Sequence, residues 1–268
     1  MIKILAILLS FRCHIALLYF SVFLFVAKSL DGAITSSELE VGLFFAFLAQ
    51  LTYVYSKTLD YTEDLGNAEE VFSFVFYKRA RYLSYFLIGI SIFYLSFKYS
   101  QLLPIFIFGI ISILPYSAKS FKFKSLFIVK PIINTMCFFL MAVMTPVLLS
   151  NPSAYNYIGS VFANSIELVA IIFSITIMFD VRDIKGDINA GFKTVPVVLG
   201  KIITVLLLAG IIFFFAFINI KKGDIAAFAN DVIILGFVFG ALKAKSKIYF
   251  AAIVLFEIVF VWVLIWLK

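Results

Sequence analysis

Along the chain, apolar residues come in runs of about 18 or more, long enough to cross a bilayer as helix, each closed by a short polar stretch. This pattern predicts nine spanning helices, over residues 11–31, 37–57, 80–97, 101–117, 126–149, 155–180, 197–219, 225–242 and 247–267. Asp31-Gly32 marks the first turn, the polar stretch from Ser56 to Glu70 closes the second helix, and Pro104 opens the fourth. A basic connector with Lys119, Lys122 and Lys124 follows. Acid-rich connectors follow helices two and six, and basic ones follow helices four and eight. That regularity predicts a four-helix unit used twice plus one further helix, with acids and bases gathered over a polar mouth above an apolar interior. The expected fold class is therefore an all-α integral membrane protein, with residues 1–268 forming one polytopic domain.

Composition strengthens this reading. Of the 268 residues 64% are hydrophobic and 14% charged, far from the roughly half apolar make-up of a water-soluble domain. A cleaved leader is disfavoured because Arg12 and His14 interrupt the first apolar run. The net charge of +7 has no basic arm or soluble domain to carry it toward nucleic acid, and loop topology accounts for it better. Most basic residues fall on connectors of one side, whereas Lys28, Lys98, Lys221, Lys222 and Lys268 fall on the other. The positive-inside rule then predicts a multi-pass protein of the plasma membrane, N-terminus cytoplasmic and C-terminus opposite, its polar mouth facing the cytoplasm. Cys13 and Cys137 lie in apolar runs, as small packing residues. His14 is expected to be a hydrogen-bonded bystander.

The most informative stretch runs from Asp180 to Asp187. Asp180, Asp183 and Asp187 are spaced i, i+3, i+7, which on a helix puts three carboxylates on one face. Clustered carboxylates repel unless a cation sits among them, and a hard divalent ion such as Mg²⁺ suits oxygen ligands and phosphate. A solvated loop of mixed charge, with Arg182, Lys185 and Lys193, is the alternative. After helix two, Asp60 and Asp64 are spaced i, i+4 and can face the triad. Two carboxylate clusters with lysines nearby describe a site for a diphosphate held through Mg²⁺, with Lys119, Lys122 and Lys193 as donors to its oxygens. A dry chamber rich in Phe and Tyr below would suit an allylic tail and shelter a carbocation. For any single Phe, lipid contact or packing explains it as well.

These residues resemble a known family. Asp180 to Asp187, continued by Gly191-Phe192-Lys193-Thr194-Val195-Pro196, resembles the second aspartate-rich motif of the UbiA superfamily of intramembrane prenyltransferases. Tyr116-Ser117-Ala118-Lys119 resembles that family's Tyr-Ser-x-x-Lys signature. The resemblance implies two helical pseudo-repeats around a central cavity, with Asp60, Asp64, Asp180, Asp183 and Asp187 as Mg²⁺ ligands. It places Lys119 and Lys193 on phosphate; Arg182, Lys122, Asn67, Tyr116 and Lys57 are further candidates to bind the diphosphate. The implied reaction moves a prenyl group from a prenyl diphosphate to a lipophilic acceptor, aromatic or quinone-like.

The first motif departs from the family pattern. Ser56 and Lys57 stand where the family has Asn-Asp, and Val71 where a basic residue often follows. Lys57 either contacts phosphate directly or weakens the first metal site. Two other readings follow: a catalytically impaired isoprenoid-binding relative, supported by Lys57, and a secondary transporter coupled through Glu167, Asp231 and Glu257. Those three acids are expected inside spanning helices, as acceptor ligands or as links between helices. The acceptor, the prenyl chain length and the oligomeric state leave no mark in the sequence.

Overall fold

The computed structural model describes residues 13–59, 74–117, 127–244 and 247–267. All the regular structure among them is helical. Chain order gives α1 (Cys13–Asp31), α2 (Ser36–Leu59), α3 (Phe74–Lys98) and α4 (Leu103–Ser117). Then follow α5 (Val129–Ser150), α6 (Ile158–Asn164), α7 (Ile166–Asn189), the short α8 (Val195–Leu199), α9 (Lys201–Lys222), α10 (Ile225–Gly240) and α11 (Lys247–Leu267).

Among the described residues, six helices are long and apolar enough to cross a membrane. A seventh span arises if the bent pair Pro152–Asn164 and Ile166–Asn189 is one crossing. The apolar helices Ser100–Ser112 and Ile225–Gly240 are shorter. Outward faces of α3, α9 and α11 carry large apolar side chains such as Phe93, Phe97, Phe213, Phe214 and Trp266, a surface suited to lipid. The core lies between α1, α5, α7 and α11, where Phe23, Phe138, Met178 and Phe250 are almost wholly buried.

Local chemistry sets the ends. α2 opens with a capping box: Thr35 Oγ1 accepts from the Glu38 N–H at 3.2 Å, and Glu38 Oε2 accepts from the Thr35 N–H at 2.8 Å. α9 stops at Gly223, whose φ of 73° suits a residue without Cβ, and Asp224 caps α10 by accepting from the Ala227 N–H at 3.0 Å. α1 packs between α2 and α11, so the first and last helices are neighbours. Trp262 Nε1 donates to Ser21 Oγ at 3.0 Å, and Lys28 Nζ donates to the Ile265 carbonyl at 2.6 Å near the C-terminal end of α11.

Two irregularities interrupt the spans. Residues Phe139–Met144 of α5 form a π turn immediately before Thr145-Pro146. Pro146 has no N–H to offer the preceding turn, and the wider turn makes room for its ring. The helix expected over 155–180 is not one straight rod. It bends by 68° at Ser165, and beyond the bend α7 runs unbroken through the aspartates to Asn189. The triad thus sits inside a helix and not past its end.

Candidate functional site

α7 presents Asp180, Asp183 and Asp187 on a face covered by protein, with 0%, 7% and 0% of each residue exposed. A solvated mixed-charge loop is thereby replaced by a buried row of acids. Each carboxylate has a partner of its own. Lys130 Nζ, in the first turn of α5, lies 2.5 Å from Asp180 Oδ1. Arg182 forks onto Asp183, with Nε to Oδ1 and Nη2 to Oδ2 both at 2.6 Å. The Arg182 guanidinium also lies 5.1 Å from the centre of the Phe179 ring, a cation–π contact. Thr194 Oγ1 donates to Asp187 Oδ2 at 2.9 Å in a buried hydrogen bond.

The chain turn that delivers Thr194 is readable residue by residue. The Gly191 N–H bonds the Ile188 carbonyl at 3.0 Å, and the Phe192 N–H bonds the Asp187 carbonyl at 2.8 Å. This is a Schellman ending, and Gly191 takes the left-handed position with φ 72°. Phe192 is buried, which directs the chain back over α7, and Pro196 starts α8. The Gly-x-Lys-Thr-x-Pro tail is therefore the strap that folds Thr194 onto Asp187. Lys193, between them, is exposed.

The fit of a divalent cation is partial. Carboxylate oxygens on a buried face are the right hard donors for Mg²⁺. Asp180 and Asp187 nevertheless stand about 10 Å apart along the axis at 1.5 Å per residue, too far to share one ion with ligand distances near 2 Å. Among the described residues no three acids form a group able to hold one metal ion. Further donors would have to come from Asp60 and Asp64, which lie outside the described residues, as do Asn67, Lys119 and Lys122. Lys57 and Tyr116 fall on the last turns of α2 and α4, where only the backbone path is described.

Lys130, one of the basic residues assigned to the cytoplasmic side, was not among the expected site residues. Its signal was present: a lysine before Pro131, at the start of an apolar segment, on the same predicted side as the triad. Glu167 differs from expectation too, lying in the first turn of α7 just past the bend and only half-buried. Cys13 and Cys137 are both free thiols, partly buried.

A model of the VviA prenyltransferase family matches residues 87–255, from within α3 to within α11. The match takes in the triad, Lys130 and the Gly191–Pro196 strap, and it agrees with the UbiA-like resemblance of the aspartate motif. No curated protein and no solved structure matches the chain.

Proposed function

We propose, on the premise that this chain belongs to the VviA prenyltransferase family, that it transfers the prenyl group of an allylic prenyl diphosphate to a lipophilic acceptor of aromatic or quinone-precursor type. The observation that carries this reading is the buried acid row on α7, with Lys130, Arg182 and Thr194 each fixed against one aspartate. The family match supports prenyl transfer, and the buried acid row with its fixed cations supports α7 as the place for the diphosphate.

The reaction breaks the allylic C–O bond, and its electron pair leaves with diphosphate. The prenyl carbon bonds to the acceptor, which gives up a proton. More than one Mg²⁺, divided among Asp180, Asp183, Asp187, Asp60 and Asp64 with no single ion held by both Asp180 and Asp187, would neutralise charge on the leaving group. The chain's own groups do the rest. Lys130 and Arg182 are cations already held beside the acids and can turn to non-bridging oxygens, joined by Lys119, Lys122, Lys193 and Lys57. Tyr116 and Asn67 stand with them as hydrogen-bonding groups. The Asp183 fork and the Phe179 ring keep Arg182 from wandering into solvent. Between two four-helix units, an apolar cavity holds the prenyl tail and excludes water from the cation that forms. The distribution of basic residues supports a plasma-membrane protein with this site on the cytoplasmic face and nine crossings in all.

Diphosphate release by the purified chain in nanodiscs tests the reading. It would be given allylic diphosphates of several lengths and pooled lipophilic acceptors, with Mg²⁺ and then with chelator. Release that needs an acceptor, Mg²⁺ and Asp183 supports the transferase. Tight isoprenoid binding without turnover, across all acceptors, would replace it with an impaired binding protein and turn attention to Lys57.

A further inference from the structure

A second polar cluster lies at the opposite end of α7, about 20 Å from Asp180 along the axis at 1.5 Å per residue. Asn219 of α9 reaches two acids at once: its Nδ2 donates to Glu167 Oε1 of α7 and to Asp231 Oδ2 of α10, both at 2.8 Å. Asn230 of α10 hydrogen-bonds Glu257 of α11, and Asp231 is near enough for its charge to act on Glu257. Four helices therefore send polar groups to one place. Asn219, Asn230, Asp231 and Glu257 are at least 96% buried. No lysine or arginine pairs with these acids among the described residues.

The amide nitrogens are turned to the carboxylates, and what remains unsatisfied is oxygen. Asn230 Oδ1, Asp231 Oδ1 and Glu257 Oε1 are buried acceptors with no donor among the described residues. Burying several such groups inside a membrane-crossing bundle is costly, and such residues persist where something positive meets them. An anion would face carboxylate oxygens here, and an apolar ligand would leave these buried acceptors unmet. Among the described residues no three acids stand close enough to hold a metal ion alone, so the candidate donor set is two carboxylates completed by the Asn230 amide oxygen.

We propose that Asn230, Asp231 and Glu257 form a binding site for a small hard cation of the alkali or alkaline-earth class, separate from the aspartate row and independent of the prenyl-transfer reading. The ion ties α10 to α11, while Asn219 links the site to α7 and α9.

The full chain carrying Asp183→Asn, which disables the other end of α7, is placed in nanodiscs without diphosphate. Unfolding is followed by tryptophan fluorescence, because both tryptophans, Trp262 and Trp266, lie on α11. NaCl and CaCl₂ are titrated against choline chloride at matched ionic strength. A rise of about 4 °C per tenfold increase in one ion beyond its dissociation constant is expected. That rise should vanish in Glu257→Gln and in Asn230→Leu. No ion-specific rise, or one that survives both changes, overturns the site and leaves the acids as neutral links between helices. Should the variants fail to fold, equilibrium dialysis of the Asp183→Asn chain with labelled Na⁺ or Ca²⁺ decides: one ion per chain supports the site, none overturns it.

Discussion

Lys130 Nζ stands 2.5 Å from Asp180 Oδ1, joining the first turn of α5 to a fully buried carboxylate of α7. A buried ion pair costs desolvation on both sides, so its removal is not symmetrical. Losing one partner strands a charge; losing both need not. Lys130→Met is expected to destabilise the chain by about 3 kcal/mol, and adding Asp180→Asn to recover most of that loss. Chemical unfolding of the two single variants and the double variant checks it. Diphosphate release should stay low in all three, since neither the cation nor the acid is restored. A double variant as unstable as Lys130→Met would mean that the lysine acts through packing and not charge.

Arg182 and Asp183 form the closest fork of the site, and here geometry matters more than charge. Arg182→Lys keeps the cation and loses the two parallel bonds. Diphosphate release should fall about tenfold or more in Arg182→Lys, and by about a hundredfold in Asp183→Asn, the scale seen when one charge-stabilising group is removed. Measured rates at saturating Mg²⁺ separate a lost contact from weaker metal binding. Equal, near-normal rates in both would remove this pair from the proposed chemistry.

Thr194 keeps Asp187 in place through one buried hydrogen bond of 2.9 Å. Thr194→Val has the same shape without the hydroxyl donor and should cost about 1–2 kcal/mol, whereas Thr194→Ser should cost less. The order of their unfolding midpoints, with serine above valine, is the readout. The reverse order would show that the methyl group and its packing fix the strap.

Gly191 tests the strap at its hinge. Its φ of 72° disfavours any residue with a Cβ, yet a Cβ built there meets nothing within 4 Å. The cost of Gly191→Ala should therefore be backbone strain alone, about 1 kcal/mol, and Gly191→Asn should cost less because Asn tolerates this region. Thermal unfolding of both variants provides the comparison. A much larger loss from alanine would point to a crowded turn.

Chelation offers a test that needs no substitution. Diphosphate release should stop when EDTA is added and return with excess Mg²⁺, as hard oxygen donors require. Turnover that continues in chelator would leave Lys130, Arg182 and the other basic groups as the whole of the leaving-group stabilisation.

What the sequence determined by itself was what lies within a few turns of chain. Apolar runs specified membrane-length helices, since backbone groups in lipid must be satisfied within the segment. The i, i+3, i+7 spacing put the three aspartates on one face. What only the tertiary structure decided involves partners far apart in the chain. Lys130 meets Asp180 because α5 packs on α7, and Asn219 joins Glu167 across 52 positions and Asp231 across 12. The bend at Ser165 has no proline to announce it. It changed Glu167 from a residue deep in a straight span to one at the start of a helix. Periodicity reports which side of a helix faces inward, but which helix waits there is set by side-chain packing across the whole bundle.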